Sequence, residues 1–263
     1  MAAACLWTPA MVAARPVTGE FSAAVYLEAH YYTWREFARE GAQLLRESGP
    51  RLALGIRLDN FSRPDGGWLL GLAASAHGAT VDYAGQTLSG TPFDTRTRYS
   101  GNTVEATVGY RVADRRLRHR LDLVAALGLD RWARDIQSGT TAGGVPVSGY
   151  REDYEVRYGR LGVGAALRGD GWQGRVQGGV KAVFDVTEDV PAFQVRLAPE
   201  GRSSTYFFLE LGPADGESLR WSITLFYDSF LLDDSPVESS TIGNVYQPRS
   251  RMELWGTRFT YFF

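Results

Sequence analysis

The sequence predicts an all-β chain: a closed, antiparallel, up-and-down transmembrane β-barrel of about ten strands, with about eight to twelve as the bounds. Three observations predict it. Most of the chain falls into segments in which apolar and polar residues alternate. The connections between segments mostly alternate between short and long. The last stretch, Met252 to Phe263 (MELWGTRFTYFF), sets Trp255, Thr257, Phe259, Tyr261 and Phe263 on one parity and Leu254, Gly256, Arg258, Thr260 and Phe262 on the other. Residues two apart share a strand face, so this stretch is a strand with one aromatic side and one mixed side.

The elements follow in order. Val25, Leu27, Ala29 and Tyr31 oppose Tyr26, Glu28, His30, Tyr32 and Trp34. Glu40-Gly41-Ala42 fits a hairpin tip, while residues 37–47 also admit one or two helical turns. Leu52, Leu54, Ile56 and Leu58 then oppose Arg51, Ala53, Gly55, Arg57 and Asp59, and SRPDGG at 62–67 turns the chain. Trp68, Leu70, Leu72, Ala74 and Ala76 make the third apolar row, before a polar stretch from Gly85 to Ser100. Val104, Ala106, Val108, Tyr110 and Val112 make the fourth; after a turn at 113–116, Leu121, Leu123, Ala125, Leu127 and Leu129 make the fifth.

A polar stretch from Asp135 to Gly149 separates the halves. Leu161, Val163, Ala165 and Leu167 lead to Gly169-Asp170-Gly171, a tight hairpin signal. Val176, Gly178, Val180, Ala182, Phe184 and Val186 follow, then polar sequence to about Ser203. Phe207, Leu209 and Leu211, a turn from Pro213 to Glu217, and Leu219, Trp221, Ile223, Leu225 and Tyr227 complete the series before the polar stretch 233–249.

Composition is compatible with this. Mean hydropathy is -0.21, and no run approaches the roughly 18 apolar residues of a spanning helix. A barrel strand needs apolar residues only at every second position. Net charge is -2, which gives no basis for nucleic-acid binding. The single cysteine, Cys5, allows no internal disulfide. Residues 1–21 are expected to be a leader: Met1 to Ala14 is small and apolar and ends in Val-Ala-Ala, like a signal-peptidase site, but has no basic start. It reads either as part of an export signal or as an unstructured leader, with residues 22–263 forming the barrel domain.

The closing strand resembles the C-terminal strand of Gram-negative outer-membrane β-barrel proteins, which end on Phe after alternating apolar positions. The resemblance implies a bacterial outer-membrane location reached through the periplasm. It implies that Phe259, Tyr261 and Phe263 form the signal read by the barrel-assembly machinery. The partners expected are that machinery, outer-membrane lipid and lipopolysaccharide, for a chain acting as a monomer. With the terminal Phe on the periplasmic side, the turns near Pro64, Asp114, Gly169 and Pro213 are periplasmic, and the stretches near Gly90, Gly143, Gly201 and Ser239 are external.

Lipid offers the backbone no hydrogen bonds, so strands span it only as a closed barrel. The apolar rows then face lipid, and Trp68, Trp221, Tyr227, Trp255 and Tyr261 form aromatic girdles near strand ends. The opposite rows face the lumen with Glu28, His30, Arg57, Asp59, Glu105, Arg111, Asp122, Arg160, Arg175, Lys181, Asp185, Glu210, Arg220, Asp228 and Arg258. Two readings follow: an interior plugged by ion pairs, because buried charges must be paired, or a narrow polar, porin-like pore.

Little in the sequence points to catalysis. Ser75, His77, His30 and Glu28 are the only candidates for a nucleophile with an oriented base. Proteases of the omptin type carry an Asp–x–His motif that is absent from this sequence. His119 sits in a basic cluster with Arg115, Arg116, Arg118 and Arg120, a candidate contact for lipid phosphates. No metal-ligand spacing or nucleotide fingerprint occurs, so no metal and no cofactor is expected. The function expected is non-enzymatic, structural or surface-interacting, with a narrow small-solute pore as one form of that role; an outer-membrane hydrolase of lipid or protein and a soluble periplasmic ligand binder are the alternatives.

Overall fold

The computed structural model describes residues 21–61, 66–87, 89–113, 120–215 and 218–263. The expected leader therefore lies outside the described residues apart from Phe21, as do the turns at Pro64 and Asp114 and the cluster around His119.

Ten long strands form the wall: β1 (Ser22–Phe37), β2 (Gln43–Asp59), β3 (Gly67–Gln86), β4 (Pro92–Ala113), β5 (Arg120–Ile136), β6 (Tyr150–Gly169), β7 (Trp172–Val190), β8 (Gly201–Asp215), β9 (Trp221–Leu232) and β10 (Arg249–Phe262). Each pairs antiparallel with its sequence neighbours, and β1 pairs with β10 from Ala24↔Phe262 to Phe37↔Arg249. The sheet is therefore closed, with no edge left to template aggregation. Residues 37–47 form a hairpin: Ala38 N–H donates to the Ala42 carbonyl, with Gly41 at φ +94°. The Gly169–Gly171 turn joins β6 to β7, with Gly171 at φ +74°.

The wall has two zones of opposite polarity. Near the termini, apolar residues point outward and charges inward. Leu54, Ile56, Leu123, Leu161, Val180, Ile223 and Phe259 are all exposed on the outside. Tyr31, Trp255 and Tyr227 share one register level at the top of this belt; Trp221 and Tyr261 share another at the bottom. Trp255 to Tyr261 is six residues, roughly 20 Å along a strand at about 3.4 Å each, so the two aromatic rows bracket an apolar band between them. Such a belt is stable only in lipid, so this zone spans the membrane.

Farther from the termini the pattern inverts. Arg35, Arg46, Arg96, Arg98, Arg131, Arg157 and Arg251 lie on the outer wall. Tyr32, Trp34, Tyr83, Phe93, Tyr99, Trp132, Tyr154, Phe230 and Met252 form one buried cluster inside. Here the barrel stands in water and has an ordinary hydrophobic core. This explains one departure from expectation. The stretch 85–100 reads as a long polar connection, yet only residues 87–91 separate β3 from β4. Above the belt a strand needs no outward apolar row, so its signature weakens while Phe93, Thr97 and Tyr99 still point inward. Pro213, expected in a turn, likewise remains in β8. Beyond the strands, residues 139–147 and 238–245 each form a small hairpin, and Val195–Leu197 pairs with the top of β7.

Candidate functional site: the barrel lumen

Charge is paired in layers inside the belt. Nearest the termini, Arg111 contacts Asp122 at 2.7 Å, with Arg175 3.5 Å from the same carboxylate. Arg57 bridges Asp59 at 2.7 Å and Glu210 at 3.0 Å, and Ser222 Oγ donates to Glu210. The Arg175 guanidinium lies 4.1 Å from the centre of the Phe61 ring, which the end of β2 turns into the barrel mouth. One level up, Arg258 meets Glu28 at 2.6 Å. Arg160 joins Glu105 at 3.0 Å to Asp228 at 2.7 Å, and Lys181 adds a second contact to Asp228 at 2.8 Å. Alternation puts each of these side chains inside; register sets Arg111 opposite Asp122 and Glu28 opposite Arg258, while the Arg57–Glu210, Arg160–Glu105, Arg160–Asp228 and Lys181–Asp228 contacts reach between strands that are not neighbours.

Two residues expected in this network lie elsewhere. Phe184 is an extra residue opposite the Arg157/Tyr158 step, a β-bulge. The bulge moves Asp185 to the outer wall, where it pairs with Arg157 at 2.8 Å, and buries Val186 inside. Arg220 precedes β9 and is exposed at the terminal rim, its carbonyl accepting from Phe262 N–H.

Tyrosines lie flat over glycines of neighbouring strands. A Cβ on Gly55 would stand 2.2 Å from the Tyr26 ring, and one on Gly128 2.1 Å from the Tyr158 ring. These glycines are required because the rings occupy the space a side chain would take.

Between the layers is a cavity of about 200 Å³. Arg51 on β2 and His30 on β1 meet at its upper edge, Arg51 Nε donating to His30 Nε2 at 2.6 Å. His30 is therefore neutral, with its proton on Nδ1; that atom is buried without a hydrogen-bond partner, the nearest carboxylate oxygen being Glu28 Oε2 at 3.8 Å. The buried Nε2 of His77 and Oγ1 of Thr224, both on residues that line the cavity, are also unpartnered. Ser75 lines the cavity against Tyr26, Glu28 is engaged by Arg258, and no Ser75–His77 or Ser75–His30 hydrogen bond exists among the described residues. The four catalytic candidates thus share one cavity but do not form a nucleophile–base pair.

Above the cavity the lumen is aromatic. Trp132 stacks on Tyr154 with centroids 5.0 Å apart, and Trp34 packs edge-on against both. Arg134, fully buried over this cluster, contacts Glu36 at 3.0 Å, Glu47 at 2.8 Å and Glu152 at 2.6 Å. Thr97 and Tyr99 also donate to Glu47. Glu188, at the level where Asp153 and Asp189 face water, is buried beside Gln247. Burial, with Glu152 and Glu36 nearby, holds its carboxyl well above the usual range; burial also raises Glu152, against the pull of Arg134. Arg51, Asp130, Arg134 and Phe61 were not among the expected lumen groups. Strand parity alone would have placed Arg51 and Asp130 there, as they share faces with Arg57 and Asp122.

No protein-family model and no curated protein matches the chain. Solved structures do. The outer membrane protease OmpT from Escherichia coli aligns with a TM-score of 0.53 over 92% of this chain and 96% of that one, at 11% identity. The transport unit of the autotransporter AIDA-I from Escherichia coli aligns at 0.44 over 90% of each chain, at 9% identity. A major outer membrane protein from Thermus thermophilus aligns at 0.39 over 92% and 99%, at 14% identity. At 11% identity the likeness to the protease concerns the fold alone, a closed antiparallel barrel.

Proposed function

We propose that this chain is a bacterial outer-membrane barrel with a non-enzymatic, structural or surface-interacting role and a lumen closed to through-flow. It sits with the start of β1 and the end of β10 toward the periplasm and its charged upper wall outside the cell. What carries the reading is the two-level filling of the lumen. The Arg57–Glu210, Arg111–Asp122 and Phe61–Arg175 contacts occupy the terminal end, and the Trp34–Trp132–Tyr154 cluster with Arg134 occupies the other. A ten-stranded barrel is only a little wider than one whose interior side chains can fill. The partners proposed are outer-membrane lipid and lipopolysaccharide around the wall and the barrel-assembly machinery at Phe259, Tyr261 and Phe263.

Planar-bilayer recording of the purified, heat-modifiable protein tests closure. The expected result is no current above background; stepwise conductance in the wild type would establish the pore instead. Unchanged lipid A and peptide profiles in an overexpressing strain are expected. Turnover lost in His77→Ala would support the hydrolase.

A further inference from the structure

The belt-level lumen leaves two charges without ionic partners. Arg258–Glu28, Asp59–Arg57–Glu210, Glu105–Arg160–Asp228–Lys181 and Arg111–Asp122–Arg175 account for the other charged side chains that line the cavity. Arg51 spends its Nε on a neutral histidine and, among the described residues, meets no carboxylate. Asp130, also buried, receives one hydrogen bond, from Thr103 Oγ1 at 3.0 Å, and meets no cation at salt-bridge distance among the described residues. Both line the 200 Å³ cavity. The wall between them carries His77, at the register of Ala53 and Gly101.

We infer that this cavity is a binding site for a small zwitterion of amino-acid size, its carboxylate on Arg51 and its ammonium on Asp130. A buried unpaired charge is costly, and one ligand carrying both signs neutralises both without adding net charge to the lumen. His77 Nε2, unpartnered and lying between the two heads, supplies a further polar contact. The volume holds roughly six to seven waters at about 30 Å³ each, room for a small amino acid with a few of them. Phe61, Arg57, Arg175 and Glu210 line both this cavity and a smaller one of about 40 Å³ below it, so a ligand reaches the site from the terminal end only when these side chains swing aside.

Calorimetric titration of the whole barrel in detergent micelles with L-alanine tests the site, with acetate and methylammonium as half-ligands. Saturable binding of L-alanine is expected, at least tenfold tighter than either half-ligand. Arg51→Gln and Asp130→Asn should each weaken it tenfold or more. Ala126→Leu keeps both charges and fills the cavity, so it should abolish binding while the barrel remains heat-modifiable. Absence of saturable binding to the folded wild type overturns the site, leaving a cavity that holds water alone. So does acetate binding as tightly as L-alanine, or full binding by Ala126→Leu. The readout needs neither a membrane nor a current, so its failure is distinct from failure of the closed-lumen reading.

Discussion

Arg134 holds three carboxylates above the aromatic cluster, and its removal strands them in a dry core. Loss of one partner from a buried ion cluster typically costs about 3–5 kcal/mol. Arg134→Met is therefore expected to lower unfolding stability by about that much near neutral pH, as measured by urea titration of the micelle-bound protein. Glu188 gives a pH signature of its own. Its carboxyl, raised by burial, binds a proton in the folded state at pH values where the unfolded chain has released it. Stability contributed by this group is full below the ordinary carboxylate value of 4.5 and is lost as pH rises toward the raised one. Glu188→Gln should flatten that fall and stabilise the barrel at pH 7; an unchanged pH–stability slope would show that the group is not the source. These residues were hard to find in the sequence, because parity identifies a side but not which carboxylates of distant strands converge on one guanidinium.

The strands impose their own constraints. Gly128 on β5 and Tyr158 on β6 are register partners, and the ring covers the glycine. Gly128→Ala is expected to displace Tyr158 from its hydrogen bond to Glu105 and cost about 1–3 kcal/mol, the usual range for overpacking. Comparison with Tyr158→Phe, which loses the hydrogen bond but keeps the ring, separates the two effects. At the terminal mouth, Phe61 divides the two cavities. Phe61→Ala should convert a silent barrel into one with small, detectable conductance only if the upper cluster also yields. A silent Phe61→Ala barrel places the tighter seal at Trp34, Trp132 and Tyr154. Alternation was legible for nearly every strand, yet the β7 bulge at Phe184 was not: a single extra residue reverses parity, and either parity of that segment includes apolar residues.

For the molecule as a whole, the boundary between the two zones can be measured. Leu161 is 69% exposed in the middle of the apolar belt, whereas Arg157, four residues along the same strand, lies in the outward ion pairs. A basic residue on the lipid face near the midplane costs about 2–4 kcal/mol. Leu161→Arg should show that loss in folding into lipid vesicles, and Arg157→Leu should change stability by less than about 0.5 kcal/mol, as for an ordinary surface site. Equal effects at the two positions would misplace the membrane boundary.

The sequence by itself determined the closed barrel, its approximate strand number, the lipid-facing rows and the side on which most of the ion pairs lie. These are local properties: period-two alternation records which face meets lipid, and turn composition records where the chain reverses. Only the tertiary structure decided which charges meet, that Asp185 and Arg220 stand outside the lumen, and that Arg51 and Asp130 face one cavity without ionic partners. It also decided that the upper barrel is turned inside out relative to the lower. Those facts depend on shear, bulges and the convergence of strands far apart in the chain, and no single strand encodes them.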